Sequence, residues 1–249
     1  MEVTVYPKMS IPNINQNKRV LALIPARGGS KGLPRKNILK AGKWPLIAWT
    51  ITAAQNSVAI DKLILSSEDD EIIEIARGWG CDTPFKRPND LAGDATKSVD
   101  VALHALKELP GYEYLILLQP TSPLRLSRDI DAAFDLMIKH GATSCASVCE
   151  ASQSPYLMYD IEGGGRLLEL LAPPKGADRR QDLPPAYVLN GAIYITKIDQ
   201  FLISKSFIDY DTVAYKMSEE RSIDIDCALD FEKFLAYIAV HNITKLPLR

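Results

Sequence analysis

The sequence predicts an α/β fold with a mostly parallel sheet and helices on both of its faces. Short apolar runs alternate with amphipathic stretches through roughly the first 150 residues, which is the pattern of repeated strand–helix units. The runs are almost wholly apolar, as expected of strands that are covered on both sides. Ligands of such sheets bind beyond the carboxyl ends of the strands, so a functional site is expected at that edge.

The first part of the sheet is predicted from four apolar runs and the helices between them. The predicted strands are Val20–Ile24, Lys62–Ser66, Tyr114–Leu118 and Ser144–Val148. The helix that precedes the fourth strand has Ser127 as its predicted N-cap and Gly141 as its stop signal. In "EDDEIIEIA" the acidic residues fall in the first turn of another helix, where the helix dipole favours them.

The strand–helix pattern stops near residue 153, where glycine and proline become frequent. The triple glycine predicts a hairpin between strands Leu157–Ile161 and Arg166–Leu171. We interpret residues 153–189 as an insertion that makes a subunit contact, which predicts a homodimer. The sheet resumes in "YVLNGAIYI" and "TVAYKM", and an apolar helix follows. Residues 19–249 thus form one domain, preceded by an expected flexible arm, residues 1–18.

The composition excludes several classes of protein. The chain has 249 residues and a formal net charge of −2, without the basic surplus of a nucleic-acid-binding protein. No apolar stretch is long enough to span a membrane, and the first residues do not resemble a signal peptide. The four cysteines are scattered, which favours reduced thiols and predicts a cytoplasmic protein.

The stretch "IPARGGSKGLPRKN" follows the first predicted strand and combines glycines with cations. Bare backbone turns tightly and approaches a ligand closely, and exposed N–H groups beside cations bind phosphate. The spacing matches neither the Walker A loop nor the dinucleotide fingerprint. A plain turn with solvated cations is the alternative, but four cations within ten residues favour the phosphates of a nucleotide. These cations are Arg27, Lys31, Arg35 and Lys36.

A pair of aspartates late in the chain is the best candidate for a metal site. In "SIDID", residues 222–226, an extended backbone would place Asp224 and Asp226 on one face and the isoleucines on the other. Two carboxylates this close repel each other unless a cation lies between them, and Mg²⁺ prefers such oxygen ligands. An amphipathic edge strand with a wet acidic face is the alternative. The acids of "SSEDDE" are more simply explained as a helix N-terminus.

Several further motifs carry a resemblance to a known family. After the glycine-rich stretch come "KRPNDLAGDATKS", "LLQPTSPLR", "RRQDLP", "NGAIYI" and "SIDID". In this order the motifs resemble those of the CMP-sialic acid synthetases, or acylneuraminate cytidylyltransferases. The resemblance spans roughly residues 19 to 240, and several separate motifs in register make it specific.

The resemblance implies a three-layer, Rossmann-like fold of the nucleotide-diphospho-sugar transferase type, with a small insertion for dimerisation that also covers the substrate. It implies CTP and an acidic nine-carbon 2-keto sugar (a nonulosonic acid) as substrates. The anomeric hydroxyl of the sugar would attack the α-phosphorus of CTP, and pyrophosphate would leave. Mg²⁺, or Mn²⁺ in its place, would neutralise charge on the phosphates. Catalysis would depend chiefly on positioning and electrostatic stabilisation.

Motif matching implies roles for individual residues. Those expected at the triphosphate are Arg27, Gly29, Ser30, Lys31 and Asn37, and those expected around the cytidine are Arg87, Thr96 and Ser98. Those expected at the sugar are Gln119, Ser122, Arg179, Arg180, Gln181 and Asn190. The residues expected to act in catalysis are Arg27, Lys31, Asp224 and Asp226, the two aspartates as metal ligands. A helix cap is the alternative for Ser98, and plain solvation is the alternative for the two adjacent arginines.

Departures from the family pattern bear on the sugar. Sialate synthetases have a lysine shortly after a His-Pro, whereas this chain has Ser154-Pro155 and no lysine before Asp160. Three residues of this stretch would make a more apolar wall, and they are Tyr156, Met158 and Tyr159. This wall favours a deoxygenated, acylated relative of sialic acid such as legionaminic acid. The rival interpretations are a synthetase for the eight-carbon sugar Kdo and a nucleotide-binding regulator without turnover.

Overall fold

The computed structural model describes residues 19–30, 32–177 and 179–246. The predicted arm, residues 1–18, and the predicted site residue Lys31 lie outside the described residues. The helices are α1 Leu46–Gln55, α2 Asp70–Gly78, α3 Ser98–Glu108, α4 Ser127–His140, α5 Ile198–Ser204 and α6 Ala228–Val240. The strands are β1 Val20–Pro25, β2 Lys40–Ala41, β3 Trp44–Pro45, β4 Lys62–Ser66, β5 Tyr114–Leu117, β6 Ser144–Glu150, β7 Tyr159–Glu162, β8 Arg166–Glu169, β9 Tyr187–Lys197 and β10 Thr212–Lys216.

The central sheet has six strands in the order β10-β6-β9-β5-β1-β4. Strand β1 pairs in parallel with β4 and β5, and β10 pairs in parallel with β6. Strand β9 is antiparallel to both of its neighbours. The predicted α/β class with a mostly parallel sheet is therefore confirmed, and the four predicted strands end within two residues of the observed ones.

The alternation along β1 builds both faces of the core. Val20, Ala22 and Ile24 pack into one apolar cluster with residues of α1, α2 and α4, while Leu21 and Leu23 pack into another with α3 and α5. All five are fully buried. Successive side chains of a strand point to opposite faces, so a wholly apolar strand needs a cover on both. This arrangement places the helices in layers on either side of the sheet.

Helix α4 ends as predicted but begins differently. Gly141 lies in the left-handed conformation with φ 65°, which glycine adopts without strain and which ends the helix. The N-cap position, however, is Leu126, and Ser127 is the first helical residue, so the predicted Ser127 cap is wrong. The carboxylate of Asp129 accepts the Leu126 N–H at 2.9 Å, and this hydrogen bond stabilises the start of the helix in place of a serine cap. Sequence spacing favoured serine because its hydroxyl is the commoner capping group.

The predicted hairpin is present and forms a sheet of its own, β7 paired with β8. Every residue of both strands is exposed in the single chain. Several of these exposed side chains are apolar, including Ile161 at 69% and Leu167 at 64% exposure. A large exposed apolar patch marks a surface that contacts another molecule.

No helix in the described part of the chain is long and apolar enough to cross a membrane. The cysteines are free thiols, with Cys81, Cys145 and Cys149 buried and Cys227 exposed. Burial raises the pKa of the Cys81 and Cys145 thiols to about 12, so both are protonated at neutral pH.

Candidate active site

A polar cavity of about 230 Å³ opens at the carboxyl ends of β1 and β5, at the edge where a site was expected. It is lined by residues of the glycine-rich loop, of the segment before α3 and of the turn after β5. Seven of the predicted site residues are among them: Arg27, Ser30, Asn37, Arg87, Thr96, Ser98 and Gln119. The topology thus brings together positions that are widely separated in sequence.

The glycine-rich loop, residues 26–37, is held in place by side chains around it. Asn37 is buried and donates from Nδ2 to the carbonyl of Arg27 at 3.0 Å. The Oδ1 atom of Asn37 has no hydrogen-bond partner among the described residues, although it is buried. A Cβ at Gly29 would meet nothing within 4 Å, so the loop is open at that position. The loop therefore leaves free space where a ligand can approach bare backbone.

Two other glycines of the loop mark close approaches. A Cβ at Gly28 would lie 2.3 Å from Oδ2 of Asp69, and a Cβ at Gly32 would lie 2.3 Å from the carbonyl oxygen of Asp226. Any side chain at either position would force a neighbour to move. The glycines are therefore required by packing of the loop against two other segments, in addition to any ligand.

The far end of the loop is fixed by Arg35, which has a left-handed backbone with φ 56°. Its guanidinium forms ion pairs with Asp69 and Glu71. The hydrogen bond from Arg35 lowers the pKa of the Asp69 carboxyl, against the opposing effect of its partial burial. Asp69 also accepts the N–H of Ile72 at 3.0 Å and caps α2, so the helix start predicted in "SSEDDE" is confirmed.

The residues expected around a cytidine line the wall opposite the loop. Arg87 is 4% exposed and donates from Nη2 to Oε2 of Glu68 at 2.6 Å. Its Nε atom is buried and has no partner among the described residues. Ser98 is the first residue of α3 and Lys97 is the N-cap residue, so the alternative of a helix cap for Ser98 is wrong. Arg87 is thus a buried guanidinium whose Nε–H can still donate a hydrogen bond to a ligand.

At the mouth of the cavity, Arg27 forms an ion pair with Asp94, with Nη1 and Oδ1 separated by 2.8 Å. Both side chains are partly exposed. A solvated pair of this kind contributes little to stability, so it is easily exchanged for a stronger anion.

The "SIDID" segment is not a strand, so the alternative of an amphipathic edge strand is wrong. Residues 222–226 form an irregular link between β10 and α6. The backbone N–H of Ile225 donates to the carbonyl of Thr121 at 2.9 Å, which ties the link to the turn after β5 rather than to a neighbouring strand. The alternation itself persists, because Ile225 is buried and Ile223 packs on the same apolar cluster.

The two aspartates of this link differ in environment. Asp224 is partly buried, and its Oδ1 atom has no hydrogen-bond partner among the described residues. Burial raises the pKa of the Asp224 carboxyl, the hydrogen bond from Thr121 opposes this, and the charge of Asp226 adds to the rise. The Asp226 side chain is 79% exposed. An orphaned oxygen beside a second carboxylate is a site where a cation would be stabilised.

Lys36 joins the two halves of the site. Its ammonium donates to the carbonyl of Ile225 at 2.5 Å and lies 3.2 Å from Oδ1 of Asp226. With the contact between Gly32 and Asp226, this bond seats the late acidic link directly against the early glycine-rich loop. The loop and the aspartate link therefore lie against each other, as the predicted convergence requires.

The residues predicted at the sugar fall into two groups. Gln119 and Ser122 lie close to Gly191 and Asp224, since a Cβ at Gly191 would lie 2.6 Å from Gln119 Oε1 and 3.5 Å from Asp224 Oδ2. Asn190 is buried next to them, but its amide is engaged by Ser147 and Ser222. The second group lies in an exposed turn that does not line the cavity, and its members are Arg179, Arg180 and Gln181.

The contacts of three residues of this region were not predicted from the sequence. Lys36 was counted as one cation among several, although its position in "GLPRKN" was available as a signal. Glu68 was included in a helix start. Arg125, in the motif "LLQPTSPLR", is fully buried and donates to the carbonyls of Gln119 and Ala192 at 2.5 and 2.8 Å. Burial lowers the pKa of Arg125 to about 9, and no sequence pattern shows that an arginine is buried.

A mostly parallel sheet with a cationic glycine-rich loop and a carboxylate pair at its carboxyl edge is typical of nucleotide-binding α/β proteins. A family model described as "Cytidylyltransferase" matches residues 21–161. The chain belongs to the cytidylyltransferase family.

Individual relatives agree with this assignment. An N-acylneuraminate cytidylyltransferase of Streptococcus agalactiae is 35% identical over 88% of the chain and 53% of that protein. The chain spans about half the length of the relatives it first matches. A CMP-N,N'-diacetyllegionaminic acid synthase of Legionella pneumophila is 35% identical over 86% of the chain and 93% of its own length. The solved structure of a CMP-2-keto-3-deoxy-manno-octonic acid synthetase with CTP shares the fold, with a TM-score of 0.69 at 16% identity, covering 90% of this chain and all of that one.

Proposed function

We propose that the protein transfers the cytidylyl group of CTP to a nine-carbon 2-keto sugar acid and releases pyrophosphate. The observation that carries the proposal is the contact of the glycine-rich loop with the Asp224–Asp226 link at one polar cavity. The similarity to synthases of CMP-sialic and CMP-legionaminic acids supports the choice of nucleotide and sugar. In this reaction the anomeric oxygen forms a bond to the α-phosphorus, and the bond from that phosphorus to the bridging oxygen breaks.

The nucleotide is held by the loop and the opposite wall. Arg27, which is partly exposed at the cavity mouth, leaves Asp94 and pairs with a phosphate. The open position at Gly29 lets phosphate oxygens reach the N–H groups of the loop. Arg87 uses its free donors on the polar edge of cytosine, beside Thr96 and Ser98. Lys31 belongs to the same loop by sequence and adds a further cation at the phosphates.

Mg²⁺, with Mn²⁺ as a substitute, fits the acidic link. Asp224 has an orphaned carboxylate oxygen, and Asp226 is exposed beside it, so a hard cation would relieve their repulsion. No group of three or more acidic, histidine or cysteine side chains in the described part of the chain could hold a metal. Asp224 and Asp226 would therefore hold the ion together with phosphate oxygens and water, and the ion would supply neutralisation of phosphate charge.

The remaining chemistry belongs to the chain's own residues. Arg27 and Lys31 stabilise the charge that develops on the leaving pyrophosphate. Asp224 accepts the proton of the attacking hydroxyl on a carboxylate oxygen that the cation leaves free. Gln119 and Ser122 lie next to this carboxylate and orient the sugar. The sequence around the acid pair thus combines positioning of the sugar with removal of its proton.

The preferred sugar is proposed to be legionaminic acid rather than N-acetylneuraminic acid. Both Met158 and Tyr159 expose almost half of their surface in the single chain, in the segment where sialate synthetases have a lysine. Such a wall suits a sugar with a methyl terminus. Steady-state rates with CTP and each sugar test this choice, and a clear preference for N-acetylneuraminate contradicts it.

A homodimer formed through the insertion, residues 153–189, is part of the proposal. Its apolar strands are exposed to solvent among the described residues, and Arg179 and Arg180 do not line the polar cavity. We place the protein in the cytoplasm, where CTP is available, with no nucleic-acid or membrane partner, and in lipopolysaccharide or capsule synthesis.

Pyrophosphate release from CTP, measured with and without a panel of nonulosonic acids, tests the function directly. Release that depends on a nine-carbon acid supports the proposal. Release that requires Kdo instead would assign the chain to the eight-carbon sugar. Binding of CTP without any release would assign it to the regulators.

A further inference from the structure

The acidic turn, residues Ser67–Glu71 from the end of β4 into the first turn of α2, has a second role besides starting a helix. Its members contact the glycine-rich loop at two points that are seven residues apart. Glu68 accepts a hydrogen bond from the N–H of Gly28, and Asp69 pairs with Arg35. Only the start of α2 was expected from these acids. The acidic turn therefore holds the glycine-rich loop by contacts near both of its ends.

Glu68 is the central residue of this turn. Its Oε1 atom accepts the Gly28 N–H at 2.7 Å, and its Oε2 atom accepts Nη2 of Arg87 at 2.6 Å. The pair is almost completely shielded, with 4% of the Arg87 side chain and 13% of the Glu68 side chain exposed. One carboxylate thus touches the start of the phosphate-binding loop and the arginine of the opposite wall.

We propose that Glu68 is a positioning residue that couples the phosphate-binding half of the nucleotide site to the base-binding half. The inference rests on the proposed function, which assigns these halves to CTP. On the loop side, the bond fixes the peptide that leads into Gly29 and Ser30. On the arginine side, it uses Nη2 and leaves the buried, unpartnered Nε of Arg87 available to a base.

Because the two donors meet different oxygens of Glu68, the observed geometry requires a carboxylate. Each of its two oxygens accepts one of the donors, whereas the amide of glutamine has a single acceptor oxygen and an NH₂ group that donates. In Glu68→Gln one of the two donors must therefore face another donor. Because Arg87 is buried, it cannot turn to water to recover the lost bond. We expect both halves of the site to lose their geometry together.

Calorimetric titration of the full chain with pyrophosphate and with cytidine, as separate probes in buffer containing Mg²⁺, tests the coupling. We expect Glu68→Gln to bind each probe about tenfold more weakly than the wild type. The matched control is Asp70→Asn, which removes an exposed acid of the same helix start that pairs with Lys86, and it should bind both as the wild type does. Unchanged binding of both probes by Glu68→Gln, or weaker binding of only one, overturns the proposal.

Kinetics separate positioning from a general effect on folding. A positioning role raises KM for CTP while kcat at saturating CTP and KM for the sugar stay near the wild-type values. A merely structural role lowers kcat through loss of active enzyme and leaves KM for CTP unchanged, and this result also overturns the proposal. If Glu68→Gln does not fold, Glu68→Asp takes the same titrations with the same criteria, because its carboxylate is one methylene too short to reach both donors.

Failure of the proposed function gives a different result. A wild-type chain that releases no pyrophosphate from CTP with any nonulosonic acid contradicts that function. A wild-type chain that turns over, beside a Glu68→Gln variant that binds both probes normally, contradicts only the role of Glu68.

Discussion

The cavity region and the inserted hairpin, β7–β8, differ in how their side chains are surrounded. Around the cavity, charged groups find partners within the chain, as in Arg87 with Glu68 and Lys36 with Asp226. In the hairpin, apolar side chains such as Ile161 and Leu167 stay exposed. Buried charges need nearby partners, and exposed apolar surface needs a cover. Charged side chains around the cavity are thus paired with other described residues, whereas apolar side chains of the hairpin are exposed.

The largest effect is expected at the acid pair in the cavity region. Asp226→Asn should lower turnover by at least about 10³-fold, since charge neutralisation by a metal is worth several kcal/mol in the transition state. The melting temperature should change little, because the Asp226 side chain is 79% exposed. Glu232→Gln, an exposed acid on α6, is the matched control and should keep full turnover. A large loss of stability with turnover retained would show instead that the pair is structural.

The next effect tests the hairpin. Ile161 and Leu167 lie directly opposite each other on β7 and β8, so Ile161→Lys with Leu167→Lys places two charges in one patch. We expect the dimer to weaken by about 10²- to 10³-fold, because an unpaired charge in an interface costs several kcal/mol. Light scattering during gel filtration measures the mass. Ile203→Lys, on an exposed apolar residue of α5, is the control. A dimer that survives the double substitution would locate the interface elsewhere.

Substituting one glycine in each region tests whether close packing matters for turnover only at the cavity. Gly32→Ala would place a Cβ 2.3 Å from the carbonyl oxygen of Asp226, so the acidic link must move away from the loop. A displacement of this size should lower kcat by about 10- to 10²-fold. Gly163→Ala in the hairpin turn meets no atom within 4 Å and should leave kcat unchanged. Equal kcat values for the two variants would mean that contact between loop and link is unimportant for turnover.

The smallest effect is a pH dependence of stability at Asp69. The hydrogen bond from Arg35 lowers the pKa of this carboxyl in the folded state, below its ordinary value of 3.8. Its contribution is therefore present above pH 3.8 and is lost as the pH falls through the lower folded pKa. We expect Asp69→Asn to lower the free energy of unfolding by about 0.2–1 kcal/mol near neutral pH, with the difference fading in acid. Urea unfolding at several pH values measures it, and a difference that grows in acid would reverse the assignment.

Much of the fold was predictable because it depends on local pattern. The apolar run Val20–Ile24 predicts a strand covered on both faces, and Gly141 predicts a helix end. Both predictions depend on local sequence alone. The start of α4 was missed because a carboxylate one turn later, Asp129, replaced the expected serine cap. Local patterns therefore located the elements, while competition between neighbouring capping groups decided one boundary.

The site was predictable as a set of residues but not as a set of contacts. The glycine-rich loop and the aspartates were found from their chemistry, yet the sequence left open whether "SIDID" pairs as an edge strand. Its backbone instead bonds to Thr121, a residue about one hundred positions earlier. The same limit applies to Arg125 and Glu68, whose partners come from other elements. Long-range hydrogen bonds of this kind leave no period or spacing in the sequence.

The central claim is that the early loop and the late aspartates form one metal–nucleotide site. A crystal of the protein with Mn²⁺ and CTP, analysed by the anomalous scattering of manganese, tests it most directly. The account predicts a manganese peak within ligand distance of the carboxylates of Asp224 and Asp226 and of a phosphate of CTP in the loop. A nucleotide bound with its metal away from both carboxylates would contradict it.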